Sequence, residues 1–415
     1  MGCGNCCTIS TVEVKASHWK SKHSQPSIAI VAERSNGYAR GFIEGVVDFA
    51  ESHRDWRFEL LDPATFETAK ISGFDGFECR LPDKRSGLRL ERLGSPVVEA
   101  MGKDDFEGFV SVLSDIDAVS RIAAEHFLSR FHVNFAYCGF DGQRYSARRA
   151  ETFARYLSEK DKSLSVYEAP AGACRLFRRK IQFGSPIEVP DARELEQWLR
   201  KLPKPTALFC CNDRRAFQVL AVCRKAGLRV PQDVAICGVD NDTILCDFSV
   251  PRLTSIDPDA RKVGYTAVST LAAMIEEPAP RRPSADVPIV VPPRGIVARA
   301  STALFLIEPA WLGEALLFIR QHIGENLTAS EVVAFLGLSR NVVGAQFKKT
   351  LGHSVQAEIA SVRLETAKRL LESSSLSVND VAKWSGFATP EYFWRCFNEK
   401  IGVSPTQYRE GETRK

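Results

Sequence analysis

Long apolar runs are missing from this sequence of 415 residues. No stretch reaches the roughly 20 residues that a membrane-spanning helix requires, and the N-terminus lacks the apolar segment of a signal peptide. We therefore expect a cytoplasmic protein without a membrane partner. A large excess of one sign of charge is missing too, because 55 Lys and Arg are balanced by 51 Asp and Glu and leave a formal net charge of +4. Such an excess is too small to argue for nucleic-acid binding by itself.

Motifs of catalysis and of tight metal binding are also absent from the sequence. There is no Gly-x-Gly-x-x-Gly after an apolar strand pattern, no P-loop and no Gly-x-Ser-x-Gly. The seven histidines are dispersed along the chain, and no two of them have metal-ligand spacing. The sequence therefore predicts neither an enzyme nor a cofactor nor a metal centre.

Cysteine is plentiful, with twelve residues, but most of these are scattered. In apolar, strand-like runs, cysteine is typical of a reduced thiol in a protein core. Four cysteines have this setting: Cys138, Cys210, Cys211 and Cys237. The N-terminal group Cys3, Cys6 and Cys7 lacks a second ligand pair at suitable spacing, so a metal site there is disfavoured and the role of the group stays open.

Apolar residues are abundant enough for real cores, since 44% of the chain is hydrophobic and 26% is charged. Up to about residue 300, apolar strand patterns alternate with amphipathic helix patterns. The clearest strand patterns are SIAIVA (27–32), VNFAYCGF (133–140), TALFCC (206–211) and DVAICGVD (233–240). This alternation predicts doubly wound parallel sheets, and the length fits two lobes.

Polar residues recur where these strand patterns end, at 33–36, 141–149, 212–213 and 240–241. Because open α/β sheets bind ligands at the carboxyl ends of their strands, we expect these residues to line a cleft. Carboxylates, amides and a guanidinium can hydrogen-bond the hydroxyls of a sugar, and aromatic rings can cover its C–H faces. The aromatic candidates are Tyr38, Phe140, Tyr145 and Phe248. A helix cap is the alternative interpretation, and for Asp213 alone it is equally favoured.

The C-terminal third contains an internal repeat of about 50 residues. Thr328-x-x-Glu331 and Ser377-x-x-Asp380 each predict the capped start of a short helix, and Gly337 and Gly386 allow the turn that follows. The matched positions further along are Ser339 and Thr389, Phe347 and Phe397, Gly352 and Gly402, and Ser354 and Ser404. Each copy is therefore predicted to be a helix-turn-helix, joined to the other by an amphipathic helix over 354–371.

Two such units on one rigid helix would present two recognition helices to successive faces of the DNA major groove. The alternative, a helical docking bundle without DNA, is disfavoured by the duplication of matched caps. The candidate DNA contacts are helix-start and polar residues opposite the apolar face: Ser339, Arg340, Asn341, Gln346, Lys348, Thr389, Glu391, Trp394 and Arg395.

Residues 309–410 resemble the DNA-binding domain of the AraC/XylS family of regulators. The second copy, VAKWSGFATPEYFWRCFNEKIGVSPTQYR, carries the family's Gly-Phe turn and its Ser-Pro and Tyr-Arg pairs. Three positions depart from the family pattern: Val333, Gly344 and Asn398. The resemblance implies an operator in double-stranded DNA as the partner.

The first 300 residues resemble the periplasmic-binding-protein-like sensor of the LacI/GalR family. The segments CNDRRAFQVLAVCRKAGLRVPQDVAICGVDN (211–241) and RLTSIDPDARKVGYTAV (252–268) carry the resemblance. It implies sugar contacts at Tyr38, Arg40, Asp115, Arg149, Asn212, Asp213 and Asp240. Ala39, Asn212 and Arg214 depart from the related residues, which leaves the identity of the sugar open.

A sensor of this kind placed before an AraC-type domain implies a monosaccharide effector, with D-xylose as the first candidate. The expected boundaries are a disordered leader at 1–26, a sensor at 27–299, a linker at 300–309, a DNA-binding domain at 310–410 and a tail at 411–415. We expect a homodimeric activator whose lobes close on the sugar, with RNA polymerase as a further partner. The alternatives are a regulator of another pentose or hexose, a sugar-binding transport protein and a sugar-modifying enzyme.

Overall fold

A computed structural model describes residues 25–410 except 64–65, 67, 70, 80–83, 101–108, 170–188, 277–286 and 375. The predicted tail, the cysteines at 3, 6 and 7 and all but the last two residues of the predicted leader lie outside the described residues. No helix in the described part of the chain is long and apolar enough to cross a membrane.

The described strands and helices alternate over most of the chain. The strands are β1 (Ser27–Val31), β2 (Arg57–Leu61), β3 (Gly76–Cys79), β4 (Val97–Glu99), β5 (Val110–Ser114), β6 (Asn134–Phe140), β7 (Leu164–Ala169), β8 (Thr206–Cys210), β9 (Val234–Val239), β10 (Thr254–Asp257), β11 (Ile289–Val291) and β12 (Gly295–Val297). The helices are α1 (Gly37–Ser52), α2 (Lys84–Glu91), α3 (Ile116–Leu128), α4 (Arg144–Ser158), α5 (Ala192–Lys201), α6 (Asp213–Ala226), α7 (Thr243–Phe248), α8 (Ala260–Glu276), α9 (Ala310–Gln321), α10 (Ala329–Leu336), α11 (Arg340–Leu351), α12 (Val355–Ser373), α13 (Val378–Trp384), α14 (Pro390–Ile401) and α15 (Pro405–Arg409).

The chain divides into two units, of which the first comprises Met1–Leu113 and Ala260–Val291. Its described strands form one sheet in the order β11-β5-β4-β3-β1-β2. The pairs from β2 to β5 are parallel. All five residues of β1 are buried, which is expected of a strand whose two faces are both covered by helices.

The second unit comprises Ser114–Asp259 and Pro292–Lys415. Its described strands form a second sheet in the order β12-β10-β9-β8-β6-β7. The pairs from β7 to β10 are parallel, and β12 runs antiparallel to β10. The four apolar segments used to predict strands all lie on strands, and the prediction of doubly wound parallel sheets is confirmed.

The C-terminal part of the second unit is entirely helical within its described residues, from α9 to α15. It has two apolar cores, one beneath each copy of the repeat. The central helix α12 contributes Val355, Ile359 and Val362 to the first core and Leu364, Ala367 and Leu371 to the second. The predicted connecting helix is therefore confirmed as the element that joins the two copies.

Candidate functional site

Three of the predicted sugar contacts follow neighbouring strands of the second unit. Arg149 lies on α4 after β6, Asn212 follows β8, and Asp240 follows β9. Strand β8 pairs in parallel with both β6 and β9. Because parallel neighbours end at the same sheet edge, the fold places these three residues along one edge.

Arg149 is the most distinctive side chain of this edge, since only 5% of it is exposed. Its Nη1 donates a hydrogen bond to the carbonyl oxygen of Cys211. Its guanidinium lies 5.4 Å from the centre of the Tyr145 ring. Among the described residues, its Nε has no hydrogen-bond partner. A buried donor of this kind is costly to leave unsatisfied, so the position favours a ligand oxygen.

Asn212 connects the same edge to the start of α6. Its Oδ1 accepts from the backbone N–H of Arg215 at 2.9 Å, and its Nδ2 donates to the hydroxyl oxygen of Tyr145 at 3.2 Å. Asn212 is therefore the N-cap of α6. The alternative of Asp213 as the cap is wrong, because Asp213 is the first residue of the helix itself.

Asp213 is almost fully buried, with 1% exposure, and it supports the neighbouring loop. Its Oδ2 accepts from the backbone N–H of Asp242 at 2.8 Å and from Cys246 Sγ at 3.4 Å. Burial, together with the nearby charge of Asp240, raises the pKa of Asp213 well above its usual value. A Cβ at Gly238 would lie 2.1 Å from Asp213 Oδ1, so this packing requires glycine. A sugar contact by Asp213 stays a prediction.

The loop after β9 holds Asp240 in an uncommon backbone conformation. Asp240 has φ 110° and Asn241 has φ 46°, both positive without being glycine. Two hydrogen bonds hold them: Asp240 N–H to Ile256 O at 2.9 Å, and Asn241 N–H to Ser255 Oγ at 2.9 Å. Such conformations persist only where the surroundings fix them, and they cluster at ligand sites.

Asp115 lies at the beginning of α3, in the same unit. Its Oδ1 accepts from the backbone N–H of Ala118 at 2.8 Å, so Asp115 is the N-cap of this helix. Helix α3 packs on α4, where Ser120 Oγ donates to the carbonyl oxygen of Arg149 at 3.3 Å. The elements that carry two predicted sugar contacts therefore touch each other.

The other two predicted sugar contacts, Tyr38 and Arg40, lie in the first unit. They occupy the first turn of α1, which is capped by Asn36 through the backbone N–H of Ala39 at 2.8 Å. Both side chains are half-buried. Their role stays a prediction.

The aromatic candidates of the second unit have different environments. Tyr145 contacts Arg149 and Asn212, as expected of a residue at the site. Phe140 is buried in the core with 3% exposure, and Arg215 lies over its ring, so its prediction as a sugar-covering surface is wrong. Phe248 is 80% exposed at the end of α7.

A buried ion pair in the second unit was not predicted from the sequence. Arg215 Nη2 lies 2.6 Å from Asp191 Oδ2, with side-chain exposures of 0% and 4%. Burial opposes the charge of Asp191, but the hydrogen bond from Arg215 lowers its pKa overall. The two residues are on separate elements, and no local pattern links them. The pair packs α6 against α5.

The helical repeat has the local geometry that its sequence predicts. Thr328 and Glu331 form a reciprocal capping box, and Ser377 caps α13 through the backbone N–H of Asp380 at 3.1 Å. Ser339 and Thr389 cap the second helix of each copy. Pro390 is the first residue of α14. Each copy is therefore a helix-turn-helix with a recognition helix of 12 residues.

The two recognition helices bury equivalent residues, because Val343 and Phe347 in α11 and Phe393 and Phe397 in α14 have 0% exposure. Their opposite faces carry the predicted DNA contacts. The exposed members are Ser339, Arg340, Asn341, Lys348, Thr389, Glu391, Trp394 and Arg395. Gln346 is half-buried and donates to Thr350 Oγ1 at 2.8 Å. DNA contacts by these residues stay predictions.

Equivalent positions of the two exposed faces differ in size and charge. Counting from each N-cap, Gly344 and Ala345 in α11 correspond to Trp394 and Arg395 in α14. A Cβ at Gly344 would meet no atom within 4 Å. The Arg395 guanidinium lies 5.4 Å from the centre of the Tyr392 ring. The two copies thus present different surfaces on the same scaffold.

Comparison with known proteins gives a domain match in each half of the chain. Residues 124–302 match a periplasmic binding protein-like domain, and residues 332–411 match a helix-turn-helix domain. The Xylose operon regulatory protein of Escherichia coli (strain K12) is 25% identical over 397 residues, covering 92% of this chain and 96% of that protein. The protein of the same name from Haemophilus influenzae is 21% identical over 392 residues, covering 92% of this chain and 97% of that protein.

Solved structures show the same fold. The xylose-binding transcription activator has a TM-score of 0.56 at 24% identity, with coverage of 94% of this chain and 99% of that one. A LacI family regulator from Enterococcus faecium, solved with bound ribose, has a TM-score of 0.53 at 21% identity and covers 66% of this chain and 98% of that one. The two resemblances noted in the sequence are thereby confirmed: the chain joins a periplasmic-binding-protein-like domain to a C-terminal helix-turn-helix domain and is similar to the xylose operon regulatory proteins along 92% of its length.

Proposed function

We propose that this protein is a sequence-specific transcriptional regulator that a monosaccharide controls, with D-xylose as the effector. The observation that carries the proposal is Arg149. Its buried Nε has no partner among the described residues, and it lies at the strand edge where Asn212 and Asp240 also lie. A monosaccharide hydroxyl, which can both donate and accept, suits such a mixed set of donors and acceptors. Sugar recognition here needs no catalytic step.

The choice of D-xylose rests on the names of the relatives, which cover nearly the whole chain. Another pentose or a hexose is the alternative. The Enterococcus faecium regulator with bound ribose supports a pentose of different stereochemistry as the first substitute. Sugars of this class differ in which hydroxyl meets the buried guanidinium, so affinity should discriminate sharply among them.

The DNA-binding half of the proposal rests on the paired helix-turn-helix units. Both recognition helices have a buried apolar face and an exposed polar face, and α12 fixes their separation. Residues 301–415 contain 13 Lys and Arg against 12 Asp and Glu, a net charge of +1. Without a broad basic field, phosphate contacts must be local, and one domain should bind DNA weakly.

We further propose a homodimer that activates transcription in the cytoplasm, where operator DNA lies. We propose that a second copy covers the exposed apolar side chains of Ile244, Phe248 and Val250, whose exposures are 58%, 80% and 69%; these three residues are the apolar patch. Pairing of two DNA-binding domains would compensate for their low charge through effective concentration. An activator contacts RNA polymerase, which is the further partner.

Thermal-shift measurement with D-xylose, D-ribose, L-arabinose and D-glucose tests the sensor. An effector at 100 times its Kd should stabilise the protein by roughly 2.7 kcal/mol. Arg149→Ala and Asp240→Ala should abolish this shift and leave the far-UV circular dichroism unchanged. The matched control is Arg148→Ala, an exposed neighbour on the same helix, which should keep the shift. Sugar binding by both site variants at wild-type strength would show that the assigned site is wrong.

Selection of bound fragments from a random-sequence DNA pool, with and without D-xylose, tests the DNA-binding half. The expected product is a sequence with two repeated half-sites, enriched more strongly in the presence of the sugar. Fragments without a common sequence, recovered equally under both conditions, would contradict a sugar-controlled, sequence-specific regulator.

A further inference from the structure

The segment that leads from β12 into the helical domain is held tightly by the second unit. Ser301 and Thr302 have 0% exposure. Ser301 donates its backbone N–H to Arg252 O at 2.9 Å and its Oγ–H to Ile236 O at 2.6 Å. Residues 299–306 are therefore a packed joint rather than a free spacer.

Arg299 attaches the start of this joint to the loop that carries Asp240. Its Nη2 donates to Asn241 Oδ1 at 2.9 Å, and its Nη1 donates to Leu253 O at 2.9 Å. Its Nε lies 3.5 Å from Asp247 Oδ1, and only 13% of the Arg299 side chain is exposed. Since Asn241 follows Asp240 directly, a shift of the predicted sugar contact must move the acceptor of Arg299.

Helix α3 and the turn that follows it hold the middle of the joint. His126 Nε2 and Thr302 Oγ1 are 2.8 Å apart, and Arg130 Nε donates to Thr302 O at 3.2 Å. The backbone N–H of Leu306 donates to Arg130 O at 2.9 Å. Asp115 is the N-cap of this helix, so the helix and the Asp240–Asn241 loop, which both hold the joint, also carry predicted sugar contacts.

Phe305 continues the path into the DNA-binding domain. The guanidinium groups of Arg130 and Arg320 lie 5.2 Å and 4.7 Å from the centre of its ring, and the ring is part of the first helical core. Arg320, on α9, donates through Nη1 to Glu358 Oε1 at 3.1 Å. Glu358 lies on α12, the helix that carries both recognition units. Contiguous contacts therefore run from the Asp240 loop to the centre of the DNA-binding domain.

We propose that Arg299 is a positioning residue that transmits sugar binding to the DNA-binding repeat through Asn241 and the packed joint. Movement of the Asp240–Asn241 loop is passed to residues 299–306, and Phe305 passes it to α9 and α12. The proposal rests on the proposed function, because it presupposes that sugar changes operator affinity. Its physical requirement is that the loop has two arrangements and that sugar favours one of them.

The test separates sugar binding from coupling. Asn241→Gly removes the acceptor of Arg299 and suits the positive φ of this position, so folding should be retained. Asn241→Asp keeps an acceptor for Arg299 and should therefore keep the effect of sugar on operator affinity. Arg299→Lys keeps the positive charge but cannot donate to both Leu253 O and Asn241 Oδ1 as the guanidinium does. Arg121→Ala, an exposed residue of α3 paired with Glu125, is the control. Each full-length protein is titrated with D-xylose by calorimetry and with the selected DNA fragment by fluorescence anisotropy, with and without sugar.

We expect a wild-type ratio of operator affinities, with and without sugar, of roughly five-fold or more. At saturating D-xylose, Asn241→Gly and Arg299→Lys should both bring this ratio close to one, and Arg299→Lys, which lies outside the predicted sugar contacts, should change xylose affinity little. Asn241→Asp and Arg121→Ala should keep it. A wild-type ratio retained by both Asn241→Gly and Arg299→Lys would overturn the role of Arg299. A wild-type protein whose DNA binding ignores sugar would instead contradict the proposed function.

Discussion

At the scale of single residues, His132 shows how burial sets a charge state. It is 2% exposed, and neither ring nitrogen has a hydrogen-bond partner among the described residues. Burial and the nearby charge of Arg130 lower its pKa to about 4. An unfolded chain protonates histidine near pH 6.5. Between these values the unfolded chain binds a proton that the folded protein does not, so stability must fall as the pH falls below 6.5.

We predict that His132→Leu weakens this pH dependence. At pH 5 the wild-type protein should have lost about 2 kcal/mol of stability through this residue, a loss that the variant avoids. Urea unfolding at pH 7.5, 6 and 5 measures the effect. Val133→Ala, whose parent side chain is 60% exposed, should keep the wild-type pH dependence. Parallel curves for wild type and His132→Leu would contradict the assignment.

At the scale of elements, the capped helices follow directly from the sequence. The N-caps Ser339 and Thr389 are confirmed because each hydroxyl accepts a backbone N–H only three residues away. Such local hydrogen bonds depend on neighbouring residues alone, so a sequence pattern determines them. The strands β1, β6, β8 and β9 were predictable for a similar reason, since each contains a continuous apolar run.

Contacts between distant elements could not be predicted in this way. Arg299 and Asn241 are 58 residues apart, and Arg215 and Asp191 belong to different helix–strand units. Asn212 caps α6 in preference to the adjacent Asp213 because the fold turns the Asp213 carboxylate toward the loop after β9. The convergence of Arg149, Asn212 and Asp240 was predictable, because it follows from parallel strand order. The packed joint was not, since its partners come from three separate segments.

The recognition helices are the elements where differences in side chains should give differences in DNA reading. Arg395 is exposed on α14, where the equivalent position of α11 is Ala345. We predict that Arg395→Ala weakens binding to the selected DNA by roughly 1–3 kcal/mol, because an arginine can donate two hydrogen bonds to a guanine edge. Fluorescence anisotropy with selected and scrambled DNA measures the loss.

Glu399→Ala, an exposed change on the same helix, should leave the affinity for the selected DNA within a factor of a few. An equal loss for Arg395→Ala on both DNA sequences would identify a phosphate contact in place of base reading. Retained affinity would remove Arg395 from the interface.

At the scale of the whole molecule, continuous contacts within the second unit join its predicted sugar contacts to the DNA-binding repeat. The joint at 299–306 makes up most of the connection between the sheet and α9, and its backbone is hydrogen-bonded to Arg130, Arg252 and Thr254. A rigid connection transmits displacement, whereas a flexible one would absorb it. A nearly neutral DNA-binding domain then needs a second domain at a defined spacing, which a dimer supplies.

We therefore predict that Phe248→Asp separates the subunits. A charge at this exposed position should disfavour burial of the patch against a second copy, since a buried unpaired charge is costly.

Analytical ultracentrifugation should give wild type the mass of two 46.1 kDa chains and the variant the mass of one. The variant should bind operator roughly ten-fold or more weakly, because the second DNA-binding event loses its effective concentration. Val47→Asp, a change at a 50% exposed valine of the first unit, should leave mass and affinity unchanged. A Phe248→Asp protein that remains dimeric would remove this patch from the interface, and a monomeric wild type that protects two half-sites would contradict the dimer itself.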